Sequence, residues 1–174
     1  MPVIDRLHIR PATEADLDAI ATFSAAMALE TEGRKLDHAR LRQGTKALLA
    51  APEHGFFMVA ELPQAEQPRQ LIGQLMVTYE WSDWRNAVFW WIQSVYVAPA
   101  WRRQGVYRRM HEKVVETAKA DPNVCGIRLY VERDNGMAQS VYRRVGLQSS
   151  AYVVYEQDFV LNRLHKLRDR PDEA

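Results

Sequence analysis

The chain has 174 residues, 47% hydrophobic and 26% charged, with a formal net charge of +1. That composition describes one globular domain over 1–174, able to bury about 70% of its unfolded surface, and it excludes the broad basic face that nucleic acid or an anionic membrane requires. A single cysteine, Cys125, excludes an internal disulfide and fits a reducing compartment.

No apolar run approaches a membrane span, and no N-terminal stretch has the order of a signal peptide, so a cytoplasmic protein is expected. In chain order, residues 5–11 alternate polar and apolar and predict a first strand. Thr13, with Asp16 three positions on, predicts a capping box for a helix carrying Leu17, Ile20, Ala21 and Phe23 and ending near 27–30. Gly33 breaks a charged loop over 30–37, and a second helix over 38–50 turns Leu41, Thr45, Leu48 and Leu49 inward. Strands are expected over 56–62 and 71–81, joined by a polar connection at 63–70, and over 87–97 after a turn at 82–86. The last of these is nearly continuous in apolar residues, as a strand covered on both faces is. A helix over 104–120 stops at Asp121 and Pro122. A strand over 126–132 returns parallel to 87–97 by a right-handed crossover. Asn135 caps a helix over 136–145 that Gly146 ends, and a final strand is expected at 149–159 before a charged tail.

Gln93 to Met110, QSVYVAPAWRRQGVYRRM, reads as strand, basic turn and helix start. A helix start has unpartnered N–H groups and partial positive charge, which hold an anion. Gly105 lets the main chain approach it closely, and Arg102, Arg103, Arg108 and Arg109 add charge in a geometry suited to phosphate. Downstream, Asn135 to Leu147 reads NGMAQSVYRRVGL.

The first stretch resembles motif A of the GCN5-related N-acetyltransferases (GNAT), R/Q-x-x-G-x-G/A, and the second resembles that family's N-x-x-A-x-x-x-Y-x-x-x-G-F segment. Asn135, Ala138, Tyr142, Gly146 and Leu147 fill the latter. Tyr107 stands where the family has glycine or alanine, and no acidic residue lies in Ile92–Val97.

The resemblance implies an α+β fold, with a mixed, mostly antiparallel sheet of six to seven strands, helices on both faces and a splayed central strand pair. Residues 1–52 would form part of the acceptor site and 55–160 the acetyl-CoA-binding core. It implies acetyl-CoA as co-substrate: the main chain of Val95, Tyr96 and Val97 would pair with the pantetheine arm, and Arg102, Arg103, Gln104, Gly105, Val106, Tyr107 and Arg108 would cradle the pyrophosphate. Asn135 would contact pantetheine, a role compatible with capping.

The reaction expected is N-acetyl transfer to a primary amine of a small molecule or peptide by direct attack. Tyr142 is the candidate general acid, because a phenol of pKa about 10 can protonate a departing thiolate whose acid has pKa about 8.5; its alternative is a core aromatic. A strand N–H near Val97 is the candidate oxyanion donor. Glu80, Asp83, Glu132 and Glu30 are candidate bases, each also readable as a surface charge. Trp90 and Trp91 must point to opposite faces, one into the core and the other available to an aromatic acceptor wall. The five histidines have no ligand spacing, so no metal is expected. A homodimer is suggested by the family alone. The competing reading is an acetyl-CoA sensor or scaffold without catalysis.

Overall fold

The computed structural model describes residues 6–63 and 69–159. Most of the expected 63–70 connection and the charged tail from 160 onward lie outside these residues. Strand β1 (His8–Pro11) leads through a 3-10 turn at Glu14–Asp16 into α1 (Leu17–Glu32). The Thr13 N–H donates to the Asp16 carboxylate at 2.7 Å, closing the expected cap. Helix α1 runs past its predicted end to Gly33, whose φ of 62° turns the chain. The N–H of Arg34 then reaches back to the carbonyl of Ala28. Helix α2 (His38–Ala50) is capped by Asp37, which accepts from the Arg40 N–H at 2.7 Å.

Strands β2 (Gly55–Leu62), β3 (Gln70–Ser82) and β4 (Ala87–Val97) follow, then α3 (Val106–Ala120), β5 (Val124–Leu129) and α4 (Gly136–Arg144). The sheet order is β1-β2-β3-β4-β5, with the first four antiparallel and β5 parallel to β4. Helix α3 makes the crossover a parallel pair requires.

The two faces bury different helices. Met58, Ala60, Leu62, Leu75, Val77, Trp90 and Ile92 pack with Val106, Met110, Val114 and Ala118 of α3. On the other face, Phe57, Val59, Leu71 and Met76 pack with Ile20 of α1 and Leu48 and Leu49 of α2. At Gly73 both β4 and α3 come close to β3: a Cβ there would stand 3.1 Å from the Tyr96 carbonyl oxygen and 3.4 Å from Val106 Cγ1.

Three expectations are corrected. The sheet of the described residues has five strands, not six to seven, and the strand expected at 149–159 does not form. Tyr152, Val153, Val154, Tyr155 and Phe159 are exposed there, and Ser150 Oγ bonds locally to the Tyr152 N–H at 3.2 Å. Apolar, β-branched content gives a local preference for extended backbone, but a strand exists only where a neighbour accepts its hydrogen bonds. The parallel strand likewise stops at Leu129 rather than at 132.

Candidate active site

Pairing between β4 and β5 stops at Ile92↔Leu129, while β4 continues to Val97. The two strands therefore part over the C-terminal half of β4, as expected of a splayed pair. On its other side, β4 pairs Tyr96 with Gln74 and Gln93 with Met76, so Ser94 and Val95 together oppose Leu75. This is a β-bulge, with Ser94 at φ 49°. Nothing in the expected element pattern anticipated it; the polar pair Gln93–Ser94 interrupting an apolar run was the one available signal.

Facing this opening is the start of α3. Gly105 precedes it at φ 83°, Arg103 also has positive φ, and no side chain caps the helix. The first N–H groups of α3 thus have no side-chain cap. An added Cβ on Gly105 would meet nothing nearer than the tip of Arg108 at 3.8 Å, so the glycine is required for its backbone angle rather than for space. Gly105→Ala is expected to cost roughly 1–2 kcal/mol, read as a lower urea midpoint. Gly105→Asn should cost less, because asparagine tolerates left-handed backbone.

Arg102, expected at the pyrophosphate, turns toward the sheet. Its Nε donates to the Val97 carbonyl at 2.8 Å, its guanidinium pairs with Glu30 at 2.6 Å and it lies 5.3 Å from the Tyr96 ring centroid. Tyr96 is buried against α1, with its hydroxyl donating to Glu30 at 3.1 Å and its ring 5.2 Å from Phe23. Burial first, and Glu30 next, raise its pKa. Val95 and Val97 pack toward α3. Gln104 closes the turn by donating to the Ala100 carbonyl at 2.9 Å. Arg103 and Arg108 are exposed, with Arg108 3.8 Å from Glu112. Asn135 caps α4, its carbonyl oxygen accepting from the Ala138 N–H at 3.0 Å, so its amide group stays available to a ligand.

Tyr142 stands edge-on to Tyr107 with ring centroids 5.6 Å apart. Burial pushes the Tyr142 phenol above its ordinary value. Tyr107 is raised further, by burial and then by Tyr142, and its buried hydroxyl has no partner among the described residues. His111, one turn on, is buried with its Nε2 also unpartnered, and burial lowers its pKa. A buried hydroxyl without a partner carries a desolvation cost that a ligand group can offset.

Two of the candidate bases are held by arginines: Glu30 by Arg102, and Glu80 by Arg128 at 2.6 Å together with the Trp91 indole N–H. Asp83 lies in the β3–β4 turn, at the end of the sheet away from the opening, and Glu132 is exposed beyond β5. Trp90 is core and Trp91 faces the opposite side, as alternation required, while Trp81 and Trp84 are exposed. Cys125 is half-buried. Among the described residues no His, Cys, Asp and Glu grouping could hold a metal ion, and no helix is long and apolar enough to cross a membrane.

The fold is thus a mixed sheet opened at a bulged central strand and facing an uncapped helix start. It is shared with a possible acetyltransferase of Clostridium difficile 630: TM-score 0.80, 39% identity, 89% of this chain and 99% of that one covered. It is shared also with a predicted acetyltransferase of Clostridium acetobutylicum solved with acetyl-CoA (0.69, 18%, 87% and 96%) and with AAC(6')-Iy in complex with the bisubstrate analog CoA-S-monomethyl-acetylneamine (0.63, 15%, 87% and 97%). No curated protein matches. The acetyltransferase (GNAT) family matches residues 19–147, and the chain belongs to that family.

Proposed function

We propose that this protein transfers an acetyl group from acetyl-CoA to a primary amine of a small molecule or peptide. The observation that carries the reading is the opening between β4 and β5, with its bulge at Ser94–Val95 and the bare N-terminus of α3 opposite. The residues fit the co-substrate. The N–H groups at Gly105–Arg108 would hold the pyrophosphate, with charge from Arg103 and Arg108. The main chain of Val95–Val97 and the Asn135 amide would hold the pantetheine arm. Arg102 would fix the strand end instead of touching phosphate, because its Nε is engaged by the Val97 carbonyl and its charge by Glu30.

Acetyl-CoA supplies an activated thioester. Tyr142 gives its proton to the leaving sulfur as the C–N bond forms and the C–S bond breaks, and the proton lost by the amine passes to solvent and back to the phenolate. Main-chain N–H groups at the bulge and at Val97 would stabilise charge on the carbonyl oxygen.

One observation favours a second reading, an acetyl-CoA sensor without catalysis: Tyr107 fills the space beside Tyr142 with a bulky ring.

Thermal unfolding with acetyl-CoA, CoA and ATP, followed by thiol release across an amine panel, tests both. A ligand at ~100 times its Kd stabilises by about 2.7 kcal/mol, which for this size raises the midpoint by roughly 5–10 °C. A shift with acetyl-CoA and CoA but not ATP, plus amine-dependent thiol release, is expected. A shift without thiol release selects the sensor, and no shift overturns both.

A further inference from the structure

Two sides of the opening carry different chemistry. On the α3 side stand Tyr107 and Tyr142. The opposite side, past the helix-covered rows of Phe57, Val59, Leu71 and Met76, is a partly exposed surface of Thr78, Glu80, Trp91, Gln93, Arg128 and Tyr130. We infer that this surface is the floor of the acceptor site and selects an amine carrying a planar aromatic group over a polycation. The inference rests on the acetyl-transfer reading above.

The floor lies at the root of the opening. Trp91 and Arg128 form the last pair but one before β4 and β5 part. The Trp91 and Tyr130 rings bridge that root, with centroids 4.3 Å apart, and Tyr130 is 53% exposed. Gln93, immediately before the bulge, uses its amide N–H on Thr78 at 2.6 Å, which leaves its amide oxygen free to accept from an incoming amine beside Ser94. Trp91 is two residues away along the strand, about 6–7 Å, so an amine held at Gln93 can lay a ring on Trp91 across a short alkyl linker.

Charge decides against a polycation. A second ammonium group needs a carboxylate that is not already neutralised. Glu80 is taken by Arg128 and the Trp91 indole, Glu30 by Arg102 and Tyr96, and exposed Glu132 is followed directly by Arg133. Arg128, paired with Glu80, lies over the aromatic rings, its guanidinium 3.7 Å from the Phe89 ring centroid and 5.9 Å from that of Trp91. The surface left for binding is aromatic and electrically balanced, suited to stacking with one amine nitrogen.

The test compares 2-phenylethylamine, spermidine and kanamycin in acetyl-CoA-dependent thiol release. Phenylethylamine is expected to show the highest kcat/KM. Tyr130→Ala and Trp91→Ala should raise its KM about 3- to 10-fold, Trp91→Phe should largely restore it, the effect on spermidine should be smaller, and the acetyl-CoA thermal shift should not change. Preference for spermidine or kanamycin, or equal effects of the substitutions on all three amines, overturns the floor. If no amine is acetylated, phenylethylamine is titrated by intrinsic fluorescence with CoA present. Binding that Tyr130→Ala weakens upholds the floor while overturning acetyl transfer; no binding overturns the floor itself.

Discussion

Tyr142→Phe is expected to lower kcat for acetyl transfer by about 10²- to 10³-fold, the contribution of one well-placed general acid, with the acetyl-CoA thermal shift unchanged. The substitution removes one oxygen and keeps the ring that packs edge-on against Tyr107, so loss of turnover without loss of stability separates proton donation from packing. The pH profile gives a second criterion. Burial raises the Tyr142 pKa above its ordinary value, so the phenol stays protonated through and beyond neutrality. Wild-type kcat should therefore climb as the amine deprotonates and show no descending limb below about pH 10. A descending limb near neutrality, or full activity in the phenylalanine variant, would remove Tyr142 from the acid role.

The largest stability effect is expected at Arg10. It donates to both oxygens of Asp16, at 2.7 and 2.9 Å, and to Glu61 at 2.9 Å, and both carboxylates are almost completely buried. Burial alone would push both carboxyls up; the bonds from Arg10, with help from Thr13 on Asp16 and from His8 and Arg69 on Glu61, hold them below their ordinary values. Arg10→Met keeps the length of the side chain and leaves two buried carboxylates short of a cation, which costs about 3–5 kcal/mol at pH 7.

The pH dependence has a fixed sign. Carboxylates whose folded pKa is depressed contribute stability that is present above their unfolded values of about 4 and is lost as pH falls through the folded ones. The gap between wild type and variant should thus be widest at neutral pH and narrow below pH 4, measured by urea denaturation at each pH. A gap under 1 kcal/mol at pH 7 would show that Arg69 and His8 suffice, against the 3–5 kcal/mol expected.

What sequence reveals here depends on the range of the interaction that decides each feature. The apolar period of α3, the nearly continuous apolar run of β4 and the caps at Thr13 and Asn135 depend on neighbours a few residues away, and those elements lie where periodicity puts them. Gly33, Gly105 and Gly146 all adopt positive φ at helix boundaries, as punctuation by glycine implies. The partition of Trp90 and Trp91 likewise follows from position on an element already legible.

Contacts that join distant segments left no local trace. Arg10 meets Glu61 across 51 residues and Arg102 meets Glu30 across 72. In sequence Arg10 and Glu61 belong to no motif, Glu30 reads as a candidate base or a surface charge, and Arg102 reads as a phosphate ligand. Arg102 in particular sits in a motif that suggests phosphate, and only the fold brings Glu30 and the Val97 carbonyl within its reach. The stretch 149–159 errs in the opposite direction, with strong local preference and no partner strand.

The bulge at Ser94–Val95 also changes the parity of β4. Before it, Trp91 and Gln93 point to the face of α1 and α2; after it, Tyr96 does, while Val95 and Val97 point to α3. One inserted residue lets a single strand place both an odd-numbered and an even-numbered set of side chains on the same side of the sheet. A deletion of either Ser94 or Val95 would therefore leave every side chain on its present side: the remaining residue would oppose Leu75 alone, Tyr96 would still oppose Gln74 and reach Glu30 and Phe23, and only the irregular main chain at the mouth of the opening would be lost.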